Sequence, residues 1–116
     1  MHPHPNRENL KDFASVLKRA IEHGQTTGEL TAHFSREKLT QMVAACDQPV
    51  MEDADGHPIF LHRIWRLRVA GMYWRENGRD PDEFPWNIDW EAIWNWICEN
   101  IVPIVKALLP LLLFLI

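Results

Sequence analysis

Apolar residues recur at helical spacing along the first half of the chain. In residues 7–23 they fall at intervals of three and four, which predicts an amphipathic helix between an N-cap at Asn6 and a stop at Gly24. Ser35 is placed to cap a second helix over 36–47, whose apolar residues also share one face. Each helix keeps a polar face, as expected of helices that cover a small core.

A third helix is predicted from Pro58 to Asn77, with proline at the favoured first position and Gly78 as the stop. Its apolar residues form two flanks, one of Phe60, Ile64, Leu67 and Trp74 and the other of Leu61, Trp65, Val69 and Met72. Arginines separate these flanks and are interpreted as an interaction surface: Arg63, Arg66, Arg68 and Arg75. A helix with two apolar flanks packs between two partners, so we expect it to be the central helix of its domain or to contact a second chain.

Two segments of the chain lack helical periodicity. Residues 48–57 contain an Asp-Gly turn signal and are predicted as a loop, with a short hairpin from Val50 to Leu61 as the alternative. Residues 79–88 are acidic and contain proline, which is typical of a linker.

The strongest apolar signal lies at the C-terminus, where residues 101–116 contain a single charge, Lys106. A helix from Trp94 to Ile116 would be roughly 34 Å long, enough to cross a hydrocarbon core of ~30 Å. The apolar side chains from Ile97 onwards outweigh the roughly 2.5–3.5 kcal/mol that a central lysine costs on insertion scales. The sequence therefore predicts a membrane helix that contains the C-terminus.

The predicted fold class is all-α, in three consecutive parts. Residues 1–78 form a small domain of about three helices, residues 79–88 a linker, and residues 89–116 a long Trp-rich membrane helix, transmembrane or membrane-embedded. Because the N-terminus has no apolar signal region, this is the arrangement of a tail-anchored protein. We expect the protein at a membrane, with its N-terminal domain in the cytoplasm.

Two sets of side chains are assigned roles along the predicted membrane helix. Tryptophan is enriched at the membrane–water interface, and four residues are assigned there: Trp86, Trp90, Trp94 and Trp96. The alternative is a Trp-rich stripe in the core of a soluble bundle. A polar stripe comprises Glu91, Asn95, Glu99 and Lys106. This stripe could line a helix contact or a lumen, but the favoured interpretation places its first three members outside the bilayer and lets the lysine snorkel.

Composition and charge narrow the classes of partner. The 116 residues have room for one domain, or for one small domain and an anchor, and their net charge of −4 argues against a general nucleic-acid binder. The charge is uneven, since residues 57–79 hold five arginines and one glutamate, whereas residues 80–99 hold six carboxylates and no cation. A basic helix is thus followed by an acidic segment that could fold back on it.

The sequence contains no set of residues that predicts catalysis. Asp53 and Asp55 resemble part of a calcium loop, but His62 stands where the bidentate glutamate is expected, so an acidic turn is favoured. Cys46 and Cys98 are far apart and are interpreted as buried free thiols. The histidines lack the spacing of a zinc site, and there is no nucleophile–base pair or glycine-rich phosphate loop. We expect no enzymatic activity, no cofactor and no metal.

A helix-turn-helix is a further alternative for the N-terminal half. A short helix before Ser35, the helix over 36–47 and a hairpin after it would resemble a winged helix in layout. Arg36 and Lys38 would then stand at the start of the reading helix, where base contacts are made. The first 46 residues carry a net charge of only about +1, however, whereas DNA binding needs a basic face.

These patterns predict a small, non-enzymatic, membrane-anchored interaction or assembly factor, whose size and plan would suit a bacterium or a phage. Its expected partners are the lipid bilayer and a protein, or a second copy that associates through the C-terminal helix. The alternatives are an oligomeric pore or lesion former of the holin or toxin kind, a soluble subunit whose tail is buried in an assembly, and a membrane-tethered winged-helix DNA binder.

Overall fold

Helices make up most of the chain that the computed structural model describes, which comprises residues 12–78 and 88–115, with side chains as far as Leu112. In this part of the chain there are five α-helices, one antiparallel hairpin and a C-terminal 3₁₀ helix. In order they are α1 (Phe13–Thr27), α2 (Arg36–Ala45), β1 (Pro49–Glu52), β2 (Pro58–Phe60), α3 (Leu61–Asn77), α4 (Trp94–Glu99), α5 (Ile101–Leu108) and the 3₁₀ helix (Leu109–Leu115).

The first helix begins and ends later than the sequence pattern predicted. Its N-cap is Asp12, whose Oδ1 accepts a hydrogen bond from the Ser15 amide at 2.8 Å, and Asn6 lies outside the described residues. The helix continues through Gly24 to Gly28, which adopts the left-handed conformation with φ 82°. Gly24 serves packing instead, because a Cβ there would lie 2.6 Å from Cδ1 of the buried Leu30.

The second helix confirms its predicted cap, since Oγ of Ser35 accepts a hydrogen bond from the Lys38 amide at 3.2 Å. After it the favoured loop prediction was wrong and the hairpin alternative right. β1 and β2 pair antiparallel with Met51 opposite Ile59. The turn between them is closed by Asp53, whose Oδ1 accepts hydrogen bonds at 2.9 Å from the backbone amides two and four residues later.

The third helix starts three residues later than predicted, at Leu61, and it ends at Asn77 as expected. Pro58 belongs to β2, the edge of a two-stranded sheet, where a residue without an N–H is tolerated. The Leu61 amide donates to the carbonyl of Gln48 at 2.9 Å, which ties the start of α3 to the strand that opens the hairpin.

The predicted long C-terminal helix is wrong, because the segment is divided at Asn100 into α4 and α5 and passes into a 3₁₀ helix after Leu108. The physical cause is proline, which lacks the amide hydrogen and clashes with the carbonyl four residues earlier. Pro103 occupies the first turn of α5, where no amide partner is needed, and Pro110 lies in the 3₁₀ helix. An α5 of eight residues is only about 12 Å long.

The predicted membrane location depended on the long C-terminal helix, and it is corrected together with that helix. Over residues 12–78 and 88–115, none of the helices combines the length and the apolar character that crossing a bilayer requires. This finding overturns the transmembrane, tail-anchored and membrane-localised predictions. The predicted linker lies almost wholly outside the described residues, so the division into domains stays a prediction.

The apolar C-terminal residues instead complete a hydrophobic core shared with the N-terminal helices. α1 contacts α2, α3, α4 and α5, and α3 contacts α5, while the 3₁₀ helix contacts α2. Trp65 of α3, Trp94 of α4 and Ile104 of α5 are at most 2% exposed. The pattern that resembles a membrane anchor is therefore a set of short helices with one buried face.

Truncating the core at α5 provides the first test. We expect Ile104→Ala to lower the free energy of unfolding by about 2–5 kcal/mol, the usual cost of a large-to-small change at a fully buried position. Urea unfolding measures this, and Lys106→Ala on the exposed side of α5 is the matched control, with an expected change within about 0.5 kcal/mol. Equal unfolding curves for the two variants would contradict a core that includes α5.

Candidate functional site

α3 carries two apolar flanks, and the flank with Leu61, Trp65, Val69 and the partly buried Met72 is covered more fully than the flank that contains Leu67. Leu61, Trp65 and Val69 are at most 1% exposed and belong to the core. On the other flank Ile64 is partly buried and Leu67 is 51% exposed. A leucine half open to water in the middle of a packed 17-residue helix is an available contact point.

Arginines border this open flank on both sides. Arg63, Arg68 and Arg75 are exposed, and among residues 12–78 and 88–115 no ion pair engages their guanidinium groups. Arg66 differs, because it is partly buried and its Nε is shielded from water without a hydrogen-bond partner in the described chain. The predicted interaction surface therefore divides into three exposed arginines and one that packs against the protein.

We call this surface the exposed α3 flank and define it by the residues that form its apolar stripe and its basic border: Phe60, Ile64, Leu67, Gly71, Arg63, Arg68 and Arg75. The stripe also leads to Trp74, which is buried at the C-terminal end of α3. One rigid helix presents all of these positions except Phe60, which immediately precedes it.

Nothing in the part of the chain that the structure describes requires a glycine at position 71. Its φ is not positive, and a Cβ at this position would meet no atom within 4 Å. A glycine in the interior of a helix costs roughly 0.5–1 kcal/mol relative to alanine. Gly24 and Gly28 are explained by close packing and by a left-handed turn, whereas Gly71 leaves an indentation in the exposed α3 flank.

A shallow cleft of about 310 Å³ continues from the C-terminal end of α3. It is lined by Met72, Arg75, Glu76, Asn100 and Pro103. Two of its polar groups already have partners, since Glu76 accepts a hydrogen bond from Trp96 Nε1 at 3.0 Å and Asn100 Nδ2 donates to the Trp96 carbonyl at 2.8 Å. Arg75 and Glu76 are both exposed, so the cleft presents one charge of each sign to solvent.

The tryptophans assigned to a membrane interface lie within the protein where they are described. Trp90 and Trp94 are 6% and 2% exposed, and the Trp90 ring contacts Phe13 edge-on at a centroid distance of 4.8 Å. Trp96 is partly buried and packs edge-on against Tyr73 at 5.1 Å. Trp86 lies outside the described residues. Trp90 and Trp94 thus belong to the core, and Trp96 packs against it.

The predicted polar stripe of the C-terminal helix is not continuous. Glu91 lies in the turn before α4, Asn95 and Glu99 lie in α4, and Lys106 lies in α5 beyond the break. Glu99 and Lys106 are exposed, whereas Glu91 and Asn95 are partly buried. Since helical winding does not continue across the break, the four residues do not form the single stripe that uniform spacing predicts.

The groups with possible chemistry are accounted for by local structure. Ligand atoms of Asp53, Asp55 and His57 lie within 4.8 Å of one another, but all three residues are exposed and Asp53 closes the hairpin turn. At the α1–α2 junction a hydrogen bond to Asp47 raises the pKa of Lys18, and burial lowers the pKa of His62. Neither group of residues surrounds a described pocket.

Both cysteines are buried free thiols, as the sequence predicted. Burial raises the pKa of Cys46 and of Cys98 to about 12, so the nucleophilic thiolate is scarce at neutral pH.

Comparison of the chain with models of known protein families, with curated proteins and with solved structures finds no match.

Sequence reasoning identified the border of this site and missed its centre. The arginines and the apolar flank that contains Leu67 were recognised, but Leu67 and Gly71 were not assigned to the interaction surface. A usable signal was present, because Phe60, Ile64, Leu67, Gly71 and Trp74 follow one another at intervals of four, three, four and three residues. The apolar members of this series were predicted as one flank of the helix, but only the arginines beside it were assigned to the interaction surface.

The thiols provide a test of accessibility. At pH 8 we expect neither cysteine of the folded protein to react with a disulfide reagent within minutes, because both are buried and protonated. In concentrated urea both should react. Rapid labelling of one thiol without denaturant would indicate an accessible, activated cysteine, and Cys46→Ser and Cys98→Ser variants would identify it.

Gly71 provides a test of whether the fold needs it. We expect Gly71→Ala to raise the free energy of unfolding by about 0.5–1 kcal/mol, because alanine favours helix and has open space here. Chemical denaturation measures the change, and Gly24→Ala is the contrasting variant because its Cβ would overlap Leu30. Destabilisation by Gly71→Ala would show that the glycine has a structural role within the chain.

Proposed function

We propose that this protein is a non-enzymatic interaction module that binds another protein through the exposed α3 flank. The observation that carries the proposal is Leu67, half exposed on a helix whose opposite flank is fixed in the core, between arginines that lack an ion-pair partner in the described chain. A surface held rigidly before binding loses little conformational entropy on association.

The composition of the flank supports a protein partner. Arginine combines a charged head with an apolar stem and is enriched at interfaces, and Leu67 and Ile64 provide apolar area between the arginines. A single exposed leucine is ordinary on a protein surface. A leucine in line with a partly buried isoleucine and an unexplained glycine defines a stripe instead.

A winged-helix DNA binder is the second candidate, because the hairpin directly follows α2 as that layout requires. Charge argues against it. The hairpin and its turn carry Glu52, Asp53 and Asp55, all exposed, where a wing would approach phosphates. Binding of duplex DNA that weakens with salt and with Arg36→Ala or Lys38→Ala would favour this candidate over the first.

Site-specific photo-crosslinking tests the proposal. A photoreactive side chain replaces Leu67 in the full chain, expressed in the cells that naturally carry it, and a matched chain carries the same group at exposed Gln41 of α2. We expect a defined adduct from position 67 alone. The crosslinked protein is then purified, and Leu67→Ala should weaken its binding at least about tenfold, as truncation of a central contact does.

Two results would contradict this proposal. Equal crosslinking from the two positions would indicate non-specific contact. Unchanged affinity of the purified partner for Leu67→Ala would show that the exposed α3 flank does not contribute to binding.

A further inference from the structure

The stripe on the exposed α3 flank follows the rule of a helix that packs lengthwise against another helix. Within α3, intervals of three and four residues place Ile64 and Gly71 at the a positions of a heptad and Leu67 at the d position between them. The preceding d position, Phe60, belongs to β2, and the following one, Trp74, is buried. Such a seam stays on one side of a helix over several turns. A partner helix that lies along α3 from Ile64 to Gly71 is therefore the ligand that fits this seam.

The charges beside this seam specify the partner. In the same register Arg63 is a g position, and Arg68 and Arg75 are e positions, the places that decide pairing between helices. All three are exposed and basic. A partner with glutamate or aspartate at its own e and g positions would gain attraction along the whole contact.

The same charges act against a second copy of this chain. In a parallel pair, a g residue faces the e residue of the following heptad, so Arg63 would face Arg68 of the other copy. In an antiparallel pair, e faces e and g faces g, which again opposes arginine to arginine. Repulsion of like charges is a common way to exclude self-association.

We propose that the exposed α3 flank binds an acidic amphipathic helix of a partner protein. The partner's apolar residues would lie along Ile64 and Leu67, one of them entering the indentation at Gly71, with its carboxylates beside Arg63, Arg68 and Arg75. This inference rests on the proposed function and adds the chemical class and geometry of the partner.

Designed helical peptides of about 21 residues test this proposal against the full chain. The first peptide has leucine or isoleucine at a and d and glutamate at e and g. The second replaces these glutamates by lysine, and the third keeps glutamate but has serine at a and d. Fluorescence anisotropy at low and high salt measures each affinity.

We expect the acidic apolar peptide to bind at least about tenfold more tightly than either of the others at low salt. The advantage over the lysine peptide should shrink as salt screens the charges. Leu67→Glu should weaken binding at least about tenfold, whereas Gln41→Glu, with the same charge change on exposed α2, should leave binding unchanged. Circular dichroism confirms that each variant is folded.

Charge reversal gives a sharper result. A chain with Arg63→Glu, Arg68→Glu and Arg75→Glu should no longer bind the acidic peptide and should bind the lysine peptide instead. Because a general loss of folding would remove both interactions, a switch in preference reports on charge. A chain with Arg19→Glu, Arg36→Glu and Lys38→Glu has the same net charge away from α3 and should keep its preference for the acidic peptide.

The contradicting outcomes separate the two proposals. Equal binding of both apolar peptides, abolished by Leu67→Glu, would overturn the acidic partner and keep the interaction module. A dimer of the free chain that Leu67→Glu dissociates would likewise replace the acidic helix by a second copy. No peptide binding, or binding that Leu67→Glu leaves unchanged, would overturn the acidic helix alone, because crosslinking from position 67 can still capture a partner that is not a helix. Arginine-dependent binding of duplex oligonucleotide in place of every peptide would overturn both proposals.

Discussion

The structure depends on the burial of the apolar C-terminal helices against α1 and α3. Ile101, Ile104 and Leu108 of α5 lie on one face of that helix and are at most 1% exposed. The helix fits inside the protein because Pro103 and Pro110 limit its length. A chain of this size has little apolar surface to spare, so the C-terminal segment provides a substantial part of its core.

This packing determines which side of α3 remains available. α1 and α5 both contact α3, and Trp65 and Val69 on one flank of α3 belong to the core that these helices share. The opposite flank keeps its apolar stripe although the described chain does not cover Leu67. Because α3 is anchored in the core, the half-exposed Leu67 and the exposed arginines beside it form an ordered surface against which another helix can pack.

The sequence predicted local features better than their assembly. The cap at Ser35, the end of α3 at Gly78, the buried cysteines and the two flanks of α3 depend on nearby residues and were recognised. The C-terminal segment was misjudged because burial in a protein core and burial in lipid select the same side chains. The two prolines were the discriminating signal, but bilayer helices also tolerate proline, so their effect on helix length was underestimated.

Amide hydrogen exchange of α5 in the full chain, without detergent, tests the central claim that this segment belongs to the core. If α5 belongs to the core, the amides of Ile104 and Leu108 are protected as strongly as those of Leu17 in α1 and Trp65 in α3, so that all exchange by global unfolding. Rapid exchange in α5 while α1 and α3 stay protected would contradict it. The C-terminal helices would then be peripheral to the fold, and the orientation of α3 would need another explanation.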